Sequence, residues 1–138
     1  MAVIDAQEQV LGRLCTHVAK RLLNGEEITI VNAQKVKISG RKAQLLEHYA
    51  QRRARGKGIS GPKYPRSADM IFRRTVRGML DYRKTTGKEA YKRLRVYVGV
   101  PSELREIKAE SPEVAMKPRL ARYVYLEEIS KELGSRRM

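Results

Sequence analysis

Residues 1–31 carry a strand, helix, strand pattern of apolar side chains, and this pattern constrains the fold more than any other feature of the sequence. Val3 and Ile4 begin a short apolar strand. The next apolar side chains recur at helical spacing: Val10, Leu11, Leu14, Val18 and Leu22. Gly25 supplies a helix stop, and the β-branched run at residues 28–31 predicts a second strand. Such a unit normally closes as a right-handed crossover, so a parallel sheet is expected.

The rest of the chain continues the alternation of strands and helices. Apolar periodicity and turn residues predict an extended piece at 36–38, helices at 43–50 and 67–80, a short helix at 88–93 after Thr86-Gly87, a strand at 96–100, a strand at 122–125 and a closing helix at 127–133 stopped by Gly134. A chain of 138 residues fits a single domain, 1–138. The pattern predicts an α/β domain with a mostly parallel sheet covered on both faces.

The charge of the chain is concentrated in its middle. Residues 41–95 hold seventeen basic and four acidic side chains, a net of +13 out of a total of +15, while residues 1–40 and 96–138 each net +1. A block of one sign between nearly neutral flanks suggests a contact surface on a folded scaffold. A positive surface of this size is typical of a protein that binds a polyanion.

Within this block, the helix at 67–80 has two distinct faces. Ser67 is the expected N-cap, and Asp69 is favourably placed in the first turn. At about 100° per residue, one face combines Ala68, Ile71, Phe72, Thr75, Val76 and Met79, and the opposite face combines Arg73, Arg74 and Arg77. We expect the first face to pack and the second to bind. Met70 lies among the arginines, and no reason for this is visible in the sequence.

A basic extended loop is expected near residues 52–66. Its centre reads GKGISGPKYP, in which three glycines and two prolines disfavour regular structure. The same letters contain a formal GxGxxG, but a dinucleotide site needs those glycines between a strand and a helix N-terminus. Here a basic helical segment precedes them and Pro62 occupies the place of the phosphate-loop lysine. An RNA-contacting loop is therefore favoured over a nucleotide site, and no cofactor is predicted.

Several other site classes find no support in the sequence. Cys15 is the only cysteine, which rules out an intramolecular disulfide and fits a reducing cytosol, and its helical phase predicts a packed side chain. His17 and His48 lack a metal-ligand spacing, so no metal is predicted. Asp5 has no partner carboxylate and is expected to serve a local turn. No signal segment or membrane span is expected, because no apolar stretch approaches about 20 residues.

Tyrosines interleave with the basic side chains. They are Tyr49, Tyr64, Tyr82, Tyr91 and Tyr97. Arginine binds phosphate bidentately and tyrosine can stack on an unpaired base, so the mixture points to RNA. For Tyr91 and Tyr97, packing is favoured over base contact.

Four segments together resemble one known family. VIDAQEQVLGRL, ITIVNAQKVKISGRK, RRTVRGML and YKRLRVYVGVP are similar in order and spacing to the universal large-subunit ribosomal protein L-thirteen family, and the ending YVYLEEISKELGSRRM resembles its archaeal members. The resemblance implies a three-layer α/β/α fold around a four-stranded parallel sheet. It also implies a non-enzymatic, cytoplasmic protein of the large ribosomal subunit that binds 23S-type rRNA, supports assembly and translation, and contacts neighbouring ribosomal proteins, ribosomal protein L-three among them.

The candidate rRNA-binding residues come from two sources. The resemblance transfers to Arg41, Lys42, Arg73, Arg74, Arg77, Lys92, Arg93 and Arg95. The basic extended loop adds further candidates: Arg52, Arg53, Arg55, Lys57, Lys63 and Arg66. Bacterial members of the family differ at residues 51–65, so the resemblance does not cover the contacts of that segment. Two alternatives stay open: an RNA-modifying enzyme with a cofactor at the strand ends of its sheet, and a chromatin-like DNA binder.

Overall fold

The computed structural model describes residues 2–54, 64–116 and 120–135, in which strands and helices alternate. The strands are β1 Ala2–Asp5, β2 Ile28–Val31, β3 Lys37–Ser39, β4 Leu94–Val96 and β5 Tyr123–Tyr125. The helices are α1 Leu11–Leu23, α2 Lys42–Ala54, α3 Ala68–Met79, α4 Thr85–Lys92 and α5 Leu126–Glu132. Short 3-10 turns lie at Ala33–Lys35, Ser102–Leu104 and Glu113–Ala115. The predicted α/β class is confirmed.

A parallel sheet of three strands forms the centre of the fold, in the order β1-β2-β4. Ile4 is paired with Ile30, and Ile30 with Val96. All four residues of β2 are buried, as expected for the central strand of a sheet that is covered by other elements. The N-terminal strand, helix, strand unit therefore closes in parallel, as its apolar pattern predicts.

One residue outside the three strands, Glu110, also pairs with this sheet. Beside β1, the Asp5 N–H donates to the Glu110 carbonyl and the Glu110 N–H donates to the Val3 carbonyl, each at 2.8 Å. Two residues later Pro112 has no N–H to donate, and the chain turns into Glu113–Ala115. The prediction of a four-stranded parallel sheet is not confirmed, and the placement of helices on both faces of the sheet stays a prediction.

The remaining two strands pair with each other instead. β3 and β5 form an antiparallel ladder in which Lys37 lies opposite Tyr125 and Ser39 opposite Tyr123. This second sheet is joined to the start of α1, because the Lys37 N–H donates to the Gln9 carbonyl at 2.7 Å. It brings a segment near residue 122 next to a segment near residue 40.

The core lies between α1, α3 and the parallel sheet. The buried side chains of α1 are Leu11, Leu14, Cys15, Val18, Ala19 and Leu22, and those of α3 include Ile71, Phe72 and Val76. The packed position predicted for Cys15 is confirmed, and burial raises the pKa of its thiol. Met79, predicted to lie in the core, is 42% exposed, because it is the last residue of α3.

Three predicted boundaries need correction. β4 ends at Val96 rather than at Val100, because Gly99 adopts a φ of 77° and its carbonyl accepts from the Asn32 N–H. Gly87 lies inside α4 rather than before it. The helix at 43–50 extends to Ala54, so Arg52 and Arg53 are helical and the predicted loop begins after them.

No helix within the described ranges is long and apolar enough to cross a membrane.

Candidate nucleic-acid interface

The arginine face of α3 has the predicted orientation. Arg74 and Arg77 are exposed and Arg73 is half-buried, while Ile71 and Phe72 on the other side are buried. The division follows from helical geometry, since residues three and four apart share a face. Ser67 occupies the N-cap position with extended backbone, but its side chain makes no capping hydrogen bond. Met70 is 41% exposed on the arginine side.

Two of the three arginines are stacked on tyrosines. The Arg73 guanidinium carbon lies 4.8 Å from the ring centre of Tyr91, and that of Arg77 lies 4.2 Å from the ring centre of Tyr82. The two rings meet edge to face with their centres 5.5 Å apart. These four side chains, the arginine–tyrosine cluster, fix two cations against aromatic rings, which lowers the entropy that each would lose on binding phosphate.

A glycine on α4 allows the cluster to form. A Cβ at Gly87 would lie 1.9 Å from the Asp81 carbonyl oxygen and 2.4 Å from its carbon. The backbone of residues 81 and 82 therefore packs directly on α4, which places Tyr82 beside Tyr91. Sequence reasoning treated Gly87 as a separator of helices, since a close backbone approach leaves no local signal.

Arg52 and Arg53 contact Tyr64, where the described chain resumes after residues 55–63. The Arg52 guanidinium carbon lies 5.5 Å from the Tyr64 ring centre, and Arg53 donates to the Tyr64 carbonyl oxygen. Tyr64 itself is buried against Tyr49, with ring centres 5.9 Å apart. These contacts join the end of α2 to the residue at which the described chain resumes, so both arginines have a role within the protein. Arg66 is exposed, and its carbonyl accepts from the Ser130 hydroxyl at 2.8 Å.

Three predicted residues, Arg55, Lys57 and Lys63, lie outside the described residues, as does the glycine-rich GxGxxG segment.

The basic residues around β4 divide by role. Lys92, Arg93 and Arg95 line a recess of about 180 Å³ together with Glu27 and Thr29. Arg93 is half-buried, and its Nη1 donates to the Leu22 carbonyl at the end of α1, at 2.6 Å. Lys92 and Arg95 are exposed. Arg93 therefore joins α1 to β4, and the other two present their charges to solvent.

Arg41 and Lys42 line a larger cleft with residues that the sequence did not single out. The cleft has a volume of about 400 Å³, and its other wall includes Arg122 and Tyr123. Both lie in a segment whose charges nearly cancel, so a count of charge along the chain does not reveal them. Only the pairing of β3 with β5 brings them to Arg41.

Residues considered for other chemistry have structural roles. One Asp5 oxygen accepts from the Gln7 N–H at 2.9 Å and from the Asn32 amide at 3.1 Å, which confirms its local turn role. Tyr91 packs against the core, as predicted, and Tyr97 is 36% exposed, which is compatible with the predicted packing at the rim of the core. In the described part of the chain, no group of three or more histidine, cysteine or acidic side chains could hold a metal ion.

Taken together, the α/β fold with its three-stranded parallel sheet and the arginine–tyrosine cluster define a class: small basic α/β proteins with a surface suited to nucleic acid.

The sequence model of the family described as Ribosomal protein L13 matches residues 1–103. Similar relatives are proteins named Large ribosomal subunit protein uL13. The one from Archaeoglobus fulgidus is 47% identical over 97% of this chain and 88% of its own length. The one from Methanococcoides burtonii is 46% identical over 99% of each chain, and the one from Methanosphaera stadtmanae is 48% identical over the same shares.

The chain belongs to the ribosomal protein L13 family, as its resemblance indicated. The relatives are archaeal, in agreement with the expectation drawn from the C-terminal residues.

Proposed function

We propose that this chain is a structural constituent of the large ribosomal subunit and that its basic surface binds large-subunit rRNA during and after assembly. Its relatives carry the name of a large-subunit protein, and their similarity extends over nearly the whole chain. The observation within this structure that supports the proposal best is the exposed arginine face of α3 with its two tyrosine-stacked cations.

Binding of this kind depends on charge and shape. Each lysine or arginine that neutralises an RNA phosphate releases a condensed counterion, and the resulting entropy gain favours the complex. The role is structural rather than enzymatic, and it places the chain in the cytoplasm within the ribosome. In the subunit the chain contacts neighbouring ribosomal proteins, ribosomal protein L-three among them.

The predicted contact residues divide into those free to meet RNA and those that also serve the fold. Arg41, Lys42, Arg74, Arg77, Lys92 and Arg95 are exposed, as is Arg66, although Arg77 is also stacked on Tyr82. Arg52, Arg53, Arg73 and Arg93 each contact another part of the protein. We assign the first group to phosphate binding and expect substitutions in the second group to affect stability as well.

The test removes two charges from α3. Arg74→Ala combined with Arg77→Ala should weaken binding to a large-subunit rRNA transcript and reduce the slope of log K against log salt, by about 0.7 to 0.9 for each lost phosphate contact. A filter-binding titration across salt concentrations measures both quantities.

The matched control removes two exposed cations elsewhere, Arg105→Ala with Lys108→Ala. An α3 variant with the same slope as this control would show that the arginine face does not lie on RNA. A parent protein that binds duplex DNA as tightly as the transcript would favour a DNA binder and contradict the proposed function.

A further inference from the structure

The cleft beside Arg41 is built from two segments about 80 residues apart in the chain. Gly40, Arg41 and Lys42 form one wall, and Ala121, Arg122 and Tyr123 form the other, around about 400 Å³. The walls are held together by backbone, because Ser39 lies opposite Tyr123 in the β3–β5 ladder and the Gly40 N–H donates to the Arg122 carbonyl at 3.1 Å. The cleft is therefore a fixed feature of the fold.

Its charge is positive on both sides. Arg41, Lys42 and Arg122 are all exposed. Lys42 lies 3.9 Å from a Glu128 carboxylate oxygen, and since both side chains are about half exposed, this pair neutralises little. Two guanidinium groups on opposite walls suit a phosphate, because arginine donates two parallel hydrogen bonds to its oxygens.

Tyr123 adds an aromatic surface to the cleft. Its side chain is 42% exposed, and it is held by the protein: the Lys37 ammonium lies 4.5 Å from its ring centre, and the Tyr125 ring meets it at 5.5 Å. Lys37 is fixed in turn by an ion pair to Glu8 at 2.7 Å. An aromatic ring that is already ordered loses little entropy when a nucleoside packs against it.

We propose that this cleft binds one unpaired nucleotide of an RNA strand, with its backbone phosphate between Arg41 and Arg122 and its nucleoside against Tyr123, an inference that rests on the proposed function. Cations alone would fit any polyanion, but two exposed arginines lining one cleft beside an exposed aromatic ring fit single-stranded RNA in particular. The site extends the RNA-binding surface to residues beyond the 1–103 matched by the family model.

The first test separates charge from ring contact, using the full chain and the large-subunit rRNA transcript. Arg122→Gln should lower the salt slope by about 0.7, the value for one phosphate of a single strand. Tyr123→Leu should lower affinity at least about fivefold with an unchanged slope, because it removes stacking and no charge. Tyr123→Phe keeps the ring and should bind like the parent, and Arg105→Gln, an exposed arginine away from the cleft, should leave the slope within error.

The second test does not depend on how well the variants fold. A transcript containing 4-thiouridine, irradiated in complex with the unsubstituted protein, should crosslink to the peptide that contains Tyr123. The same peptide should crosslink to RNA in assembled subunits.

The outcomes distinguish this inference from the proposed function. If the parent binds the transcript with a steep salt dependence while Arg122→Gln and Tyr123→Leu match the Arg105→Gln control, the cleft is not an RNA site and the function stands. Crosslinks from the 4-thiouridine transcript to other peptides of the protein but none to the Tyr123 peptide would likewise overturn the inference. Failure of the parent to prefer rRNA over duplex DNA would overturn the function itself.

Discussion

Gly87 shows how one residue without a side chain can determine the shape of a surface, here the one that we propose binds RNA. Its Cα faces the Asp81 carbonyl so closely that an added Cβ would overlap the backbone. The residue is buried within α4, where glycine is otherwise unfavourable. The energetic cost of glycine in a helix is offset by the contact that places Tyr82 against Tyr91.

We expect Gly87→Ala to destabilise the protein by about 1 to 3 kcal/mol, because a backbone carbonyl cannot move aside as a flexible side chain would. Urea denaturation measures this loss. The matched control is Gly78→Ala on α3, where an added Cβ meets no atom within 4 Å. That variant should be as stable as the parent or more stable, by up to about 1 kcal/mol. Equal effects of the two substitutions would contradict the close approach.

At the scale of elements, the arginine face of α3 depends on its neighbour α4. α3 supplies Arg73 and Arg77, but the rings beneath them come from α4 and from the turn before it. Such stacking contributes about 0.5 to 1 kcal/mol per pair at exposed sites, which is enough to favour one guanidinium orientation. α4 therefore orients the arginines of α3 that we propose bind RNA.

Tyr82→Leu should weaken binding to the rRNA transcript about two- to fivefold, because Arg77 loses the ring that orients it. The salt slope should stay the same, since no charge is removed. Tyr82→Phe preserves the ring and should bind the transcript with the affinity of the parent. If the Tyr82 hydroxyl were the important group, this variant would lose affinity as well. Equal losses for leucine and phenylalanine would refute the role of the ring, and a thermal unfolding curve checks that both variants fold.

At the scale of the whole molecule, one polar network ties the C-terminal part of the chain to its beginning. A Glu8 oxygen pairs with the Lys37 ammonium at 2.7 Å, and the other accepts from the Tyr125 hydroxyl at 2.8 Å. These partners lower the pKa of Glu8, with the hydrogen bond from Lys37 as the largest cause and the bond from Tyr125 as the next. The network joins the segment before α1 to both strands of the second sheet.

The lowered pKa of Glu8 predicts how stability depends on pH. A carboxyl whose folded pKa lies below its ordinary value of 4.5 stabilises the fold above that pH, and this contribution is lost as pH falls through the folded pKa. The free energy of unfolding of Glu8→Gln should therefore lie below that of the parent at pH 7, and the gap should narrow as pH falls below 4.5. Urea denaturation at pH 7, 5, 4 and 3 tests this. A gap that stays constant down to the most acidic pH would argue against it, and Glu103→Gln, an exposed carboxylate, is the control.

Features that repeat locally could be predicted from the amino-acid sequence alone. The apolar spacing of residues 10–22 and the β-branched run at 28–31 identified α1 and β2, because helix and strand periods are properties of neighbouring residues. The two faces of α3 followed from the same periodicity. The net charge of residues 41–95 indicated a polyanion-binding surface. This signal was available because counting charges along a chain requires no knowledge of the fold.

Which distant segments meet depends on the folded chain and could not be predicted from local pattern. The partner of a short strand is chosen by packing against the rest of the core, so β3 pairs with β5 rather than joining the parallel sheet. That choice brings Arg122 and Tyr123 to Arg41, although their own segment is nearly neutral. The close approach at Gly87 is likewise set by contacts between elements. Local pattern and charge thus specify the helices, the strands and the class of binding partner. Long-range packing determines how the side chains are arranged on the surface that would contact that partner.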